Sequence, residues 1–79
     1  MLVLSRTELV ESCAGLEWQE LDMLIDVSNK KRDYVTVNAA VTELESRFKL
    51  RCPDPLGFAL ALRRGREILR SHGFYVAAA

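Results

Sequence analysis

Apolar residues recur at helical spacing along most of this chain, and four segments carry the pattern. The first opens at Leu4-Ser5-Arg6-Thr7-Glu8-Leu9. Ser5 and Glu8 stand three apart, as a capping box requires, and Leu4 and Leu9 hold the two positions of a hydrophobic staple. This predicts a helix over about Arg6 to Ala14, closed by Gly15 in the left-handed conformation, with Leu9, Val10 and Cys13 inward. A second helix is expected over about Glu17 to Asn29. Trp18, Leu21, Leu24 and Ile25 form its apolar stripe, and Gln19, Asp22 and Asp26 its polar side.

Lys30-Lys31-Arg32-Asp33 interrupts the periodicity and reads as a solvated turn. Tyr34-Val35-Thr36-Val37 is β-branched and aromatic, so a short strand or an extended lead-in is expected there. Thr36 or Asn38 then caps a third helix ending near Leu50. Its stripe is Val37, Val41, Leu44 and Phe48, and Glu43–Arg47 and Glu45–Lys49 are favourable pairs one turn apart. Pro53 stops that helix by forcing Cys52 out of helical geometry. Asp54-Pro55 starts the last one, an acidic N-cap before a proline at the first helical position. It should run to His72, with Gly73 in the left-handed closing position and Phe74 folded back towards Leu69. Tyr75-Val76 can pair with Leu2-Val3 as a two-strand ribbon, and Ala77–Ala79 reads as a frayed tail.

These elements give one mainly α domain over residues 1–79: a compact four-helix fold with a short terminal β-ribbon. The alternative is a winged-helix-like α+β layout, with Tyr34–Val37 and Phe74–Val76 as strands. Seventy-nine residues leave room for one core and no second domain. A chain this short buries only about 60% of its unfolded surface, so stability is marginal and a second subunit is one common remedy.

Charge changes the picture more than composition does. Eleven basic and eleven acidic residues cancel, which argues against a general affinity for nucleic acid or anionic membrane. The cancellation hides a sorting. Residues 1–29 hold six acids against Arg6 alone, a net −5, whereas residues 30–79 hold ten bases against five acids, a net +5. Met1-Leu2-Val3-Leu4 is too short for a signal-peptide core and no run reaches membrane-span length. The chain is expected in the cytoplasm, with Cys13 and Cys52 reduced.

The last helix is the most informative element. At 100° per residue, Phe58, Ala61, Leu62, Gly65, Ile68 and Leu69 share one face, while Arg63, Arg66 and Arg70 share another with Arg64 at its edge. Gly57, Ala61 and Gly65 recur every four residues, which admits a close helix crossing. Leu56 and Leu60 fall outside the apolar stripe, among the arginines, and form a greasy patch ringed by charge. The bland reading is a core helix with a solvated polar face. The sharper one makes Leu56, Leu60, Arg63, Arg64, Arg66 and Arg70 a contact surface for an acidic partner. It requires guanidinium groups free of the domain's own carboxylates.

Other features weigh less. Asp22 and Asp26 lie one turn apart with Glu17 and Glu20 nearby, but no loop adds the oxygens a calcium site needs. Val10 to Leu24 matches the apolar spacing of a helix-turn-helix about Gly15. Glu11 is too large for its packing position, however, and Glu17, Glu20 and Asp22 would face the phosphates. His72 has no acidic neighbour in sequence and falls at a helix end, and no glycine loop suits a phosphate. No catalytic, metal-binding or cofactor-binding set is expected. The functional expectation is a small non-enzymatic regulator or inhibitor that binds another protein and pairs as a homodimer. The alternative is a nucleic-acid-binding transcriptional regulator using the basic C-terminal helix.

Overall fold

A computed structural model describes residues 6–48 and 54–74, which form α1 (Arg6–Ala14), α2 (Trp18–Lys30), α3 (Tyr34–Phe48) and α4 (Pro55–Ser71). The Leu4 staple, the Ser5 cap, the Glu45–Lys49 pair, Cys52 and the terminal ribbon lie outside the described residues. The protein is mainly helical, and no strand occurs among the described residues.

Helix ends are set by side chains close in sequence. Glu20 Oε1 accepts from the Glu17 amide at 2.9 Å and fixes the start of α2. The end of α2 is a Schellman turn: Arg32 N donates to Asn29 O at 3.0 Å and Asp33 N to Ser28 O at 2.8 Å. Arg32 occupies the left-handed position at φ 58°. Asp33 then caps α3, its Oδ1 accepting from the Thr36 amide at 3.2 Å and its Oδ2 from the Thr36 hydroxyl. Asp54 Oδ1 accepts from Gly57 N at 3.0 Å at the start of α4. At the far end of α4, Gly73 (φ 70°) closes a second Schellman turn, with Gly73 N on Arg70 O and Phe74 N on Leu69 O.

Three expectations are corrected here. Tyr34–Val37 is the first turn of α3 and not a strand, so the winged-helix alternative loses its internal strand. The Asp33 cap and the full burial of Val37, in phase with Val41 and Leu44, outweigh the weak β preference of the run. The cap is Asp33, neither Thr36 nor Asn38. Gly15 has no positive φ; α1 ends with Leu16 N donating to Cys13 O at 3.1 Å, which any residue can do.

Helix α3 is the hub. It packs against α1, α2 and α4, and α2 also packs on α4. Leu21 and Ile25 of α2, Val37, Val41 and Leu44 of α3 and Leu69 of α4 are the largest fully buried side chains. Each contributes about 1.5–3 kcal/mol by leaving water. Phe48 ends the α3 stripe but is exposed. The small residues of α4 act as expected: Gly65 seats against Val41 and Ile25, and Gly57 lies under the Trp18 ring. Trp18 in turn meets Phe58 at a centroid distance of 5.4 Å. Because α1 packs chiefly on α3 and not on α2, the two helices do not form the compact pair of a helix-turn-helix.

One arginine joins α1 to the rest. Arg47 Nη2 donates to Cys13 O at 3.1 Å and Ala14 O at 2.9 Å, and Nη1 donates to Leu16 O. Glu43 orients the guanidinium through Nε at 3.1 Å. The carbonyls left open at the end of α1 therefore find their donor on α3.

Candidate functional site

The exposed side of α4 carries Leu56, Leu60, Arg63, Glu67 and Arg70 at alternating spacings of four and three, which places them in one line. Leu56 is 71% exposed and Leu60 58%. Beside this ridge a valley of about 590 Å³ runs between α4 and α2, with Gly57 in it, Trp18 and Asp22 on one wall and Leu60, Arg63 and Arg64 on the other. The missing side chain of Gly57 lets the Trp18 ring close onto α4, since a Cβ there would sit 2.7 Å from Trp18 Cζ2.

The four arginines have different fates. Arg64 reaches across the valley to Asp22 Oδ1 and ties α4 to α2. Arg66 donates to Glu45 Oε2 at 2.8 Å and ties α4 to α3; its Nε is buried without a hydrogen-bond partner. Arg63 pairs with Glu67 one turn along its own helix at 3.2 Å, with both side chains well exposed. Arg70 is exposed and has no carboxylate partner among the described residues. Three of the four guanidiniums thus pair with the domain's own carboxylates. Arg64 and Arg66 are held across to other helices, and the outward surface narrows to Leu56, Leu60, Arg70 and Arg63, whose partner Glu67 is on the same exposed helix face. The Asp22 and Glu45 partners lie on other helices, out of reach of a helical-wheel argument.

A second apolar surface was not anticipated. On α2, Met23 is 68% exposed and Val27 is also exposed. With Leu16, Glu20 and Leu24 they line a shallow groove of about 290 Å³. Its signal in the sequence is the spacing of residues 16, 20, 23 and 27, which repeats the four-three alternation of α4 on the side opposite the Asp22 wall.

Basic and aromatic groups gather at one end of the bundle. Tyr34 stacks on His72 with centroids 4.0 Å apart and meets Phe74 at 5.3 Å. Lys31 and Arg32 precede Tyr34, and Arg70 precedes His72; Lys31, Arg32, Arg70 and His72 are exposed.

Cys13 is buried and unbridged. Burial pushes its thiol up from the ordinary value, Glu43 adds to the rise, and Arg47 opposes it. A protonated, enclosed thiol is a poor nucleophile. Among the described residues no three His, Cys, Asp or Glu side chains converge as metal ligands, and no helix is long and apolar enough to cross a membrane. No family profile, curated protein or solved structure matches the chain.

Proposed function

We propose that this chain is a small non-enzymatic regulatory or inhibitory protein that acts by binding another protein through the outer face of α4. The observation that supports this most is the pairing of two strongly exposed leucines, Leu56 and Leu60, with outward Arg63 and Arg70 on one line of α4, where Leu60 and Arg63 border a valley of about 590 Å³. Apolar anchors next to a pocket, rimmed by charge, are the usual make-up of a protein contact. The partner that fits has an apolar strip bordered by carboxylates, and the setting is the cytoplasm. Affinity capture with the intact chain tests it. Leu60→Glu and Arg63→Glu should each abolish recovery of the bound protein, while Val35→Glu on an exposed site of α3 should not. Equal recovery by all three variants overturns the reading.

The end of the bundle favours a second reading, a nucleic-acid-binding regulator. Exposed Lys31 and Arg32 lie close in sequence to Tyr34, and exposed Arg70 to His72, of the Tyr34–His72–Phe74 rings; bases stack on aromatic faces while cations meet phosphates. Titration of single-stranded oligonucleotides at low salt separates the two. Steeply salt-dependent binding that falls in Arg32→Glu would support it, and no binding at low salt would end it.

A further inference from the structure

We infer that the α4 ridge binds the α2 groove of a second copy of this chain, in a head-to-tail contact. The inference rests on the ridge being a protein contact, as proposed above, and it names the occupant. The ridge and groove match in register. Leu56, Leu60 and Arg63 are spaced four then three, and Val27, Met23 and Glu20, read backwards along α2, are spaced four then three. Laid antiparallel, the helices set Leu56 on Val27, Leu60 on Met23 and Arg63 on Glu20. All four apolar side chains are exposed in the single chain, and each covers another in the pair.

Charge fixes the direction. The parallel arrangement with the same apolar matches would set Leu56 on Met23 and Leu60 on Val27, and then Arg63 on Lys30, cation against cation. Only the antiparallel arrangement closes on an opposite pair. Arg63 is available for it, because its bond to Glu67 is between well-exposed side chains one turn apart, a pairing that solvent screens. Glu20 uses Oε1 for the Glu17 amide, and its charge still faces outward at the groove.

The ridge is centred on the outward side of α4 and the groove on the side of α2 away from the Asp22 wall. One copy therefore presents two different surfaces, and a contact between unlike surfaces leaves one ridge and one groove open at the ends of each pair. Such contacts chain or close into rings.

The test is sedimentation equilibrium of the full chain from about 10 μM to 1 mM, the range of weak contacts of small area. The wild type should gain mass with concentration, whereas Leu60→Glu and Met23→Glu should each stay monomeric with unchanged helical content. Mixed in equal amounts, the two variants should form a dimer that grows no further, because the Met23→Glu copy keeps its ridge and the Leu60→Glu copy its groove. Arg63→Glu should associate more weakly, and mixing it with Glu20→Arg should restore the contact. A wild type that is monomeric throughout, a Met23→Glu variant that associates like the wild type, or a mixture that stays monomeric would each overturn the inference. A monomeric wild type that still captures a different protein through Leu60 would leave the ridge a contact and overturn only its pairing with α2.

Discussion

Gly65 of α4 sits against Val41 of α3 with no room for a methyl group between them: a Cβ at Gly65 would collide with Val41 Cγ2 and lie 3.2 Å from Ile25 Cδ1. Val41 is fully buried and β-branched, so it cannot turn aside. Replacing glycine inside a helix ordinarily gains about 1 kcal/mol. Here Gly65→Ala should lose stability instead, by about 1–2 kcal/mol net, because overpacking against neighbours that cannot give costs about 2–3 kcal/mol, the upper part of the usual range. Urea unfolding reads the sign, and a variant as stable as the wild type would mean that α3 and α4 are not in that contact.

Arg32 and Gly73 hold equivalent left-handed positions after α2 and α4, so substitutions at them should act in opposite directions. Arg32→Gly relieves a side chain held at φ 58° and should raise the unfolding free energy by up to about 1 kcal/mol after the added chain entropy of glycine. Gly73→Ala should lower it by about 1 kcal/mol. Thermal unfolding of the two variants side by side checks the pair of signs.

Arg47→Met should cost about 2–3 kcal/mol, more than a surface charge would. The change strips donors from three carbonyls at the end of α1 and leaves Glu43, itself largely shielded, without its 3.1 Å partner. Hydrogen exchange should show the loss first in the amides of α1. Uniform loss across all four helices would refute a role confined to joining α1 to α3.

Cys13 makes stability fall in alkali. Its folded value is raised, chiefly by burial, so the stabilisation of the protonated thiol is complete below the unfolded value of about 8.5 and is lost as pH climbs through the folded one. In a Cys52→Ser background, unfolding free energy should decline above about pH 8.5, with a steeper slope than in the same background carrying Cys13→Ala. A thiol reagent should modify Cys13 only as fast as α1 opens from the other helices, and prompt modification at neutral pH would contradict its enclosure.

What could be read in advance follows the range of the interactions. The limits of α4 and its closing turn rest on Asp54, Pro55 and Gly73, each acting within three residues of its own position, and they were legible. The closing turn of α2 was not, because an arginine at φ 58° carries none of the marks that a glycine does. The start of α3 was obscured by the β-branched run Tyr34-Val35-Thr36-Val37, which shifted the expected cap from Asp33 to Thr36 or Asn38. Least legible was the arginine face. Its outward direction follows from 100° per residue, but Asp22 and Glu45 lie 42 and 21 residues from the arginines they bind. Only packing brings them together.

The hub position of α3 has a consequence for the order in which the domain assembles. Helices α2 and α3 share a three-residue connection in which Asp33 both completes one helix end and begins the next, so their hairpin gains its contacts at short loop-closure cost. Helix α4 then adds to both, whereas α1 has its main packing partner in α3 alone. Refolding followed residue by residue should show the central hairpin protected earliest and α1 latest. Under native conditions α1 should be the first segment to detach, as a subglobal opening that leaves the other three helices assembled.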